Sequence, residues 1–329
     1  MSHFETTKSI WITWHEHRRT KSLAQCLSVP ISCRDKKTLV NRHILGFFWA
    51  LIVLFIKKPK IIFLQHSYFL LLACVIYKKF HLFSNIIIIN DCHNKALKKT
   101  VRGVFNASFR LLKSFGFSNC DLLIVTNKSL LCFAEKLNSN VAILRDPIPT
   151  LNLSNNKYMA ENPYVLFINS FDVDEPIDFI FEASEEICQN LDLDVVISGN
   201  YNKVVVPTKI LNNSRIHLPG FMPEDEYLFR LKKSLVTIVL TNDEDCLVCG
   251  AYEAISANRP LLLSDTSALR TCFGNYAFFS THDKKILLRN LAKAIKESNS
   301  KNLYDSGKLI ANEFEVEKSL VMNLIEKLI

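Results

Sequence analysis

The chain is 329 residues long, 49% hydrophobic and 22% charged, with only 8 glycines, which excludes a disordered or fibrous protein and points to two packed domains. Its net charge of +8 is unevenly shared, since residues 1–150 hold 22 Lys and Arg against 7 Asp and Glu while the remainder holds 18 against 25. Ten dispersed cysteines, most of them in apolar surroundings, exclude a disulfide scaffold, and the pair Cys246 and Cys249 lacks the further ligands that a zinc site needs.

The polar start "MSHFETTKSIWITWHEHRR" has no apolar core of a secretion signal. In chain order, "SIWITW" reads as a strand and "HRRTKSLAQCLS" has helical apolar spacing. The uncharged run "ILGFFWALIVLFI" (residues 44–56) is too short to span a bilayer and reads as a buried or interfacial helix. Then come the strand "KIIFLQ", the helix "SYFLLLACVIYKKF", and the buried strands "NIIIIND" and "DLLIVTN". Continuous aliphatic strands separated by helices imply a parallel sheet covered on both faces. The basic balance of this half implies an anionic partner: nucleic acid, a membrane surface or a phosphorylated substrate.

The Pro-, Asn- and Ser-rich stretch at 147–162 reads as a linker. After it, "YVLFINS" is a strand and "DEPIDFIFEASEEICQ" a helix opened by acids. The strand "LDVVISG", the segment "RIHLPGF" before a turn, the helix "EDEYLFRLKKS" and the strand "LVTIVLT" follow. The helix "GAYEAISAN", the strand "PLLLSD" and C-terminal helices complete a second doubly wound unit. In such sheets ligands bind at the carboxyl ends of the strands.

Candidate site residues concentrate at those ends. The loop 242–250, which holds Asp245 and Cys249, follows a buried strand, and Gly250 allows close backbone approach to a ligand. A helix starting near Ala251 offers N–H groups to an anion, and Glu253 in its first turn can accept from hydroxyl groups. The bland alternative is that Asp245 and Glu253 merely offset the helix dipole. Thr241 and Tyr252 either line the same place or pack, while Ser264, Asp265 and Thr266 can cap the helix "SALRTCF". In the first half, Asp91, His93 and Asn94 follow the all-Ile strand, and Gln65, His66 and Ser67 end another strand on the same edge, where they can place an acceptor. His15, His17, Arg18, Arg19 and Lys21 form a cationic loop, either a phosphate grip or a solvated surface.

Two acids with seven residues between them, then Ala, a small-residue turn, Pro and an apolar strand, resemble the donor-site signature of retaining GT-B glycosyltransferases, closest to glycosyltransferase family 4. The stretches "WITWHEHRRTKSLAQCL", "INDCHNKAL", "FDVDEPIDFIFEA" and "LPGFMPEDEYLFRLKKS" are similar to that family in the same order. The resemblance implies an α/β fold of two Rossmann-like domains facing a cleft: an acceptor domain at 1–150, with a helix at 310–329 packing back on it, and a donor domain at 151–309. It assigns His93, Asp245 and Glu253 to catalysis, although the family usually has Glu where Asp245 stands. The family's Arg and Lys after the first strand of the second domain are missing from "FINSFDVDEP", where only Ser170 and acids stand. Phosphate must then be gripped by the helix at Gly250, by the loop "SGNYNK" (Gly199, Asn200, Lys203) or by basic residues of the first domain.

What the family implies is transfer of a sugar, with retention, from a nucleotide-diphosphate sugar to a hydroxyl of a glycan or polyprenyl-linked acceptor in bacterial surface polysaccharide (capsule or O-antigen) synthesis. No metal or other cofactor is implied. The basic first domain adds an anionic membrane surface as partner, hence a cytoplasmic protein peripheral to the inner face of the plasma membrane. Nucleotide-sugar 2-epimerases share the architecture and form the alternative. A nucleic-acid-binding protein ranks lower, because the basic residues are not interleaved with aromatic ones on strands.

Overall fold

The protein is described by a computed structural model over residues 7–15, 17–34, 41–81, 83–94, 97, 106–151, 162–297 and 301–329. Most of the expected linker, 152–161, lies outside these residues. The chain forms two units, Met1–Pro147 together with Phe314–Ile329, and Ile148–Glu313.

The first unit runs β1 (Ser9–Thr13), α1 (Arg18–Cys26), β2 (Ile31–Cys33), α2 (Gly46–Lys57), β3 (Ile61–Gln65), α3 (Tyr68–Phe80), β4 (Ile87–Asp91), α4 (Asn106–Ser118), β5 (Leu122–Val125), α5 (Lys128–Ala134) and β6 (Val141–Ile143). Its sheet has the order β2-β1-β3-β4-β5-β6, every pair parallel. Side chains alternate between two cores, as the period of a strand requires. Ile10, Ile12, Ile62, Leu64, Ile88 and Leu123 face α2 and α3. Trp11, Ile61, Phe63, Ile87, Ile89 and Leu122 face the other core, which holds Leu23 and Ala24 of α1. Truncating any of these fully buried aliphatic residues to Ala should cost about 2–5 kcal/mol.

The second unit runs β7 (Tyr164–Phe167), α6 (Ile177–Leu191), β8 (Asp194–Ser198), α7 (Thr208–Leu211), β9 (Ile216–Gly220), α8 (Glu224–Lys233), β10 (Thr237–Val239), α9 (Cys249–Ser256), β11 (Leu261–Ser264), α10 (Ser267–Phe273), β12 (Ala277–Ser280) and α11 (Lys284–Lys296). Its sheet, β9-β8-β7-β10-β11-β12, is again wholly parallel. Local chemistry sets the helices: Thr266 and Asp283 cap α10 and α11, and α8 opens on three acids and closes on three basic residues. The segment "RIHLPGF", expected only to precede a turn, contains the edge strand β9. A last helix, α12 (Lys301–Leu328), packs Leu303 and Ile310 into the core of the second unit and Phe314, Val321 and Ile325 into that of the first.

The two strand orders locate the sites. In the first sheet the chain leaves β1 toward β2 and returns on the other side as β3, so the topological switch lies between β1 and β3. In the second it lies between β7 and β10. Helices on opposite faces diverge at such a point and leave a crevice at the carboxyl ends of the two strands.

Candidate functional site

In the first unit, β1, β3 and β4 are neighbours, and their register pairs Gln65 with Asp91, so their carboxyl ends open side by side. The Thr13 hydroxyl lies 2.7 Å from Gln65 Oε1 and 2.8 Å from the His15 carbonyl, tying β1 to β3. His66 follows β3, stacks on Phe117 (5.0 Å between ring centroids) and meets the edge of Tyr68. The Asn90 amide nitrogen lies 3.1 Å from His66 Nδ1. Burial pulls the His66 pKa down to about 4, only partly opposed by the hydrogen bond that Asn90 Oδ1, 3.3 Å from Nδ1, accepts from the protonated ring. The buried Nε2 of the same ring has no hydrogen-bond partner among the described residues.

His93, two residues past β4, lies with its ring 5.2 Å from that of His17. His93 Nε2 and His17 Nδ1 are likewise buried without a hydrogen-bond partner among the described residues. Burial lowers the pKa of both rings, against the opposing pull of Asp91 and Asp146. Three neutral imidazoles therefore meet at this edge, each with an unsatisfied nitrogen. Such nitrogens suit ligand hydroxyl or phosphate oxygens better than bare burial.

Beneath them lies an ion network. Arg19 donates from Nε (3.0 Å) and Nη2 (2.7 Å) to Asp91, from Nη1 to Asp146 (2.5 Å) and from Nη2 to the Leu144 carbonyl (2.8 Å). Burial opposes the Arg19 charge, but the two carboxylates outweigh it and raise its pKa. Burial likewise opposes the Asp91 charge, and Arg19 outweighs it to hold that carboxyl below its usual range. This revises the expected cationic loop. The helix starts at Arg18, so Arg18, Arg19 and Lys21 are helical, and Arg19 is a buried partner of Asp91 rather than a surface grip. Asp91 is correspondingly held inside instead of facing an acceptor. Arg18 and Lys21 remain exposed in the first turn of α1, which has no side-chain cap and no acid. His15, just before them, and Asn94, after β4, are half-buried.

In the second unit, the turns after β7 and β8 are laced together. Gly199 has φ 101°, and a Cβ there would stand 2.1 Å from the Asn169 carbonyl oxygen, so no other residue fits. Asn200 caps the short turn Tyr201–Lys203 through Asn202 N–H, and Lys203 donates to the Ser170 carbonyl (2.8 Å) and Asp172 (3.0 Å). Of the three loop residues expected to hold donor phosphate, Asn200 and Lys203 are thus engaged within the protein. The backbone around Phe171 (φ 58°) presents N–H groups as an anion seat would, and the chain fills it itself. The Glu175 carboxylate accepts from Ser170 N–H (3.0 Å), Asp172 N–H (3.1 Å) and the Ser170 hydroxyl (2.9 Å). Asn169 Nδ2 is buried there without a hydrogen-bond partner among the described residues.

Across the switch point, Thr241 acts as a latch. Its N–H donates to Ser264 Oγ (2.8 Å) and its hydroxyl to the Asp174 carbonyl (3.1 Å), while Asp243 N–H donates back to it (3.1 Å). Asp245 is half-buried, its N–H on Asp243 Oδ1 (3.1 Å). Helix α9 begins at Cys249, earlier than the sequence suggested, which places Gly250 in the first turn and Glu253 in the second. The Ala251 N–H donates to the Val248 carbonyl (3.1 Å) and is not an open anion donor. A Cβ on Gly250 would stand 3.0–3.1 Å from Ile168 and Val239 side chains, so this glycine brings the helix onto the sheet. Ala251 and Tyr252 are core residues, the latter edge-on to Phe273 (5.1 Å), so of the two readings of Tyr252 packing is the one observed. Cys249 is exposed at the helix start. Glu253 is buried and accepts a hydrogen bond from the Tyr227 hydroxyl of α8.

Sequence reasoning missed Asp146, Glu175 and Tyr227. Asp146 and Glu175 each precede a proline at an element boundary, and Tyr227 sits three residues inside an acid-opened helix. None of these signals separates a site from a cap.

Comparisons with known proteins bear on the fold. No protein-family model matches the sequence, and no curated protein matches it significantly. Solved structures do match. Sucrose-phosphate synthase of Thermosynechococcus elongatus superimposes with TM-score 0.72 at 12% identity, over 98% of this chain and 99% of that one. Anabaena HepE, solved in complex with UDP, gives TM-score 0.68 at 9% identity over 96% and 99%. The UDP-GlcNAc 2-epimerase of Methanocaldococcus jannaschii gives 0.55 at 13% identity over 94% and 99%. The two six-stranded parallel sheets with alternating helices are therefore those of the GT-B fold.

Proposed function

We propose that the chain is a glycosyltransferase that takes a sugar from a nucleoside-diphosphate donor and passes it to a hydroxyl of a glycan or lipid-linked acceptor. The observation that carries this reading is the trio of neutral imidazoles with unsatisfied buried nitrogens at a switch point of a GT-B fold. In this reading the second unit holds the nucleotide at the β7/β10 switch, with Glu253, oriented by Tyr227, accepting from ribose hydroxyls. The UDP in complex with HepE, a neighbour of the same fold, supports a nucleotide ligand. His93 and His66, both neutral near pH 7, meet hydroxyl or phosphate groups of a bound ligand through their unpartnered Nε2 atoms. The leaving diphosphate is stabilised by the uncapped start of α9. Retention of the anomeric configuration, the absence of any cofactor beyond the donor, and a surface-polysaccharide acceptor belong to the same reading.

The test is a thermal-unfolding panel of UDP, GDP, ADP and CMP, followed by NMR of the stabilising nucleotide's sugars. A nucleotide at 100 times its Kd should add about 2.7 kcal/mol of stability. His93→Ala should keep that shift and lose at least about 100-fold in transfer. No stabilisation by any nucleotide would refute the reading. The fold shared with the UDP-GlcNAc 2-epimerase supports a second reading, which predicts an epimer from donor alone, with no acceptor.

A further inference from the structure

Helix α2 is apolar on every side. Its inner stripe is Gly46, Ala50 and Leu54, and a Cβ on Gly46 would stand 2.9 Å from the Trp14 ring, so small residues let the helix lie close to the core. An outer face of a helix in water is ordinarily polar. Here it carries Phe48 (55% exposed), Ile52 (58%), Phe55 (40%) and Ile56 (74%), with Ile44 and Leu45 continuing it at the start. The Phe55 ring lies 6.0 Å from that of Phe80 at the end of α3, itself 75% exposed, so the patch runs across two helices. Such a contiguous apolar surface marks something that covers it.

Charge says what. Lys57, Lys58, Lys60 and Lys79 stand exposed at the ends of α2 and α3, beside the Phe55–Phe80 contact. Between Asp35 and Asp121 the sequence has one acid, Asp91, which is buried against Arg19. A phenyl and aliphatic face rimmed by cations and free of exposed carboxylates matches an anionic bilayer, whose headgroups take the lysines and whose acyl boundary takes the side chains. A second copy of the same face would set lysine rim against lysine rim. Nucleic acid would need cations along the face, where none stands. Among the described residues no helix is long and apolar enough to cross a membrane.

We infer that the outer face of α2, with the ends of α2 and α3, docks in the plane of an anionic membrane. This goes beyond the proposed catalysis and stands on different residues. The full chain would be floated with vesicles of phosphatidylcholine alone or containing 30% phosphatidylglycerol. Binding to the anionic vesicles should exceed binding to the neutral ones at least tenfold and fall with salt. Phe48→Ser with Ile52→Ser and Ile56→Ser, all exposed positions, should abolish it while the thermal transition stays in place. Lys58→Gln with Lys60→Gln and Lys79→Gln should lose the preference for the anionic lipid. Equal flotation of the serine variant, or no flotation of the parent chain, overturns the proposal. So does a parent dimer, by light scattering, that the serine variant makes monomeric. Nucleotide stabilisation measured without vesicles separates failure here from failure of the catalytic reading.

Discussion

Burial of His66 against Phe117 and Tyr68 has a consequence for stability as well as for chemistry. Its folded pKa of about 4 lies below the unfolded value of 6.5. The native state refuses a proton that the unfolded chain accepts, so the stabilisation is fully present above pH 6.5 and is lost as pH falls toward 4. Between pH 7.5 and 5 the loss from this residue should be about 2 kcal/mol. His66→Gln, which keeps an acceptor for Asn90, should flatten the fall in urea-unfolding free energy by that amount. Equal slopes in variant and parent would disprove it. His17 and His93 are shifted the same way and steepen the fall in both chains. At the same scale, Arg19 shows what sequence left hidden. Four cationic or imidazole neighbours suggested a solvated loop, yet its helical position turns it onto Asp91, 72 residues away. Removing either partner of so buried a pair strands the other charge, at about 3–5 kcal/mol.

At the scale of elements, most strands and helices were legible because their apolar periodicity is strong. "NIIIIND" and "PLLLSD" became β4 and β11 as expected. The edge strands β2, β6 and β12 were not, since each is three or four residues long and buried on fewer sides. The start of α9 was misplaced by two residues for a related reason. Val248, its N-cap, has no capping side chain, so no residue announces the boundary. Turn glycines, by contrast, announce geometry but not its severity. Gly199 and Gly220 both have positive φ, but a Cβ on Gly220 would meet only Tyr201, at 3.7 Å. Gly199→Ala should therefore cost at least about 2 kcal/mol and Gly220→Ala about 1 kcal/mol, read as shifts in the denaturant midpoint. Similar losses in the two would contradict the close approach at Asn169.

At the scale of the whole molecule, each unit has its own sheet and its own cores. A nucleotide held at the β7/β10 switch should accordingly raise amide-exchange protection most in 168–172, 199–203 and 241–251. Protection greatest at 13–17 and 91–94 would relocate the nucleotide to the first unit. The sequence alone determines the α/β class, the doubled parallel architecture and the strand ends at which polar residues gather. Those follow from local patterning, which a single chain segment carries in full. Which of the gathered residues face a ligand was decided elsewhere. Lys203 turns to Asp172, Glu175 fills the turn after β7, Tyr252 enters the core, and three histidines keep unsatisfied nitrogens. Each outcome depends on partners tens of residues away, brought close by strand order, and no spacing along the sequence encodes that distance.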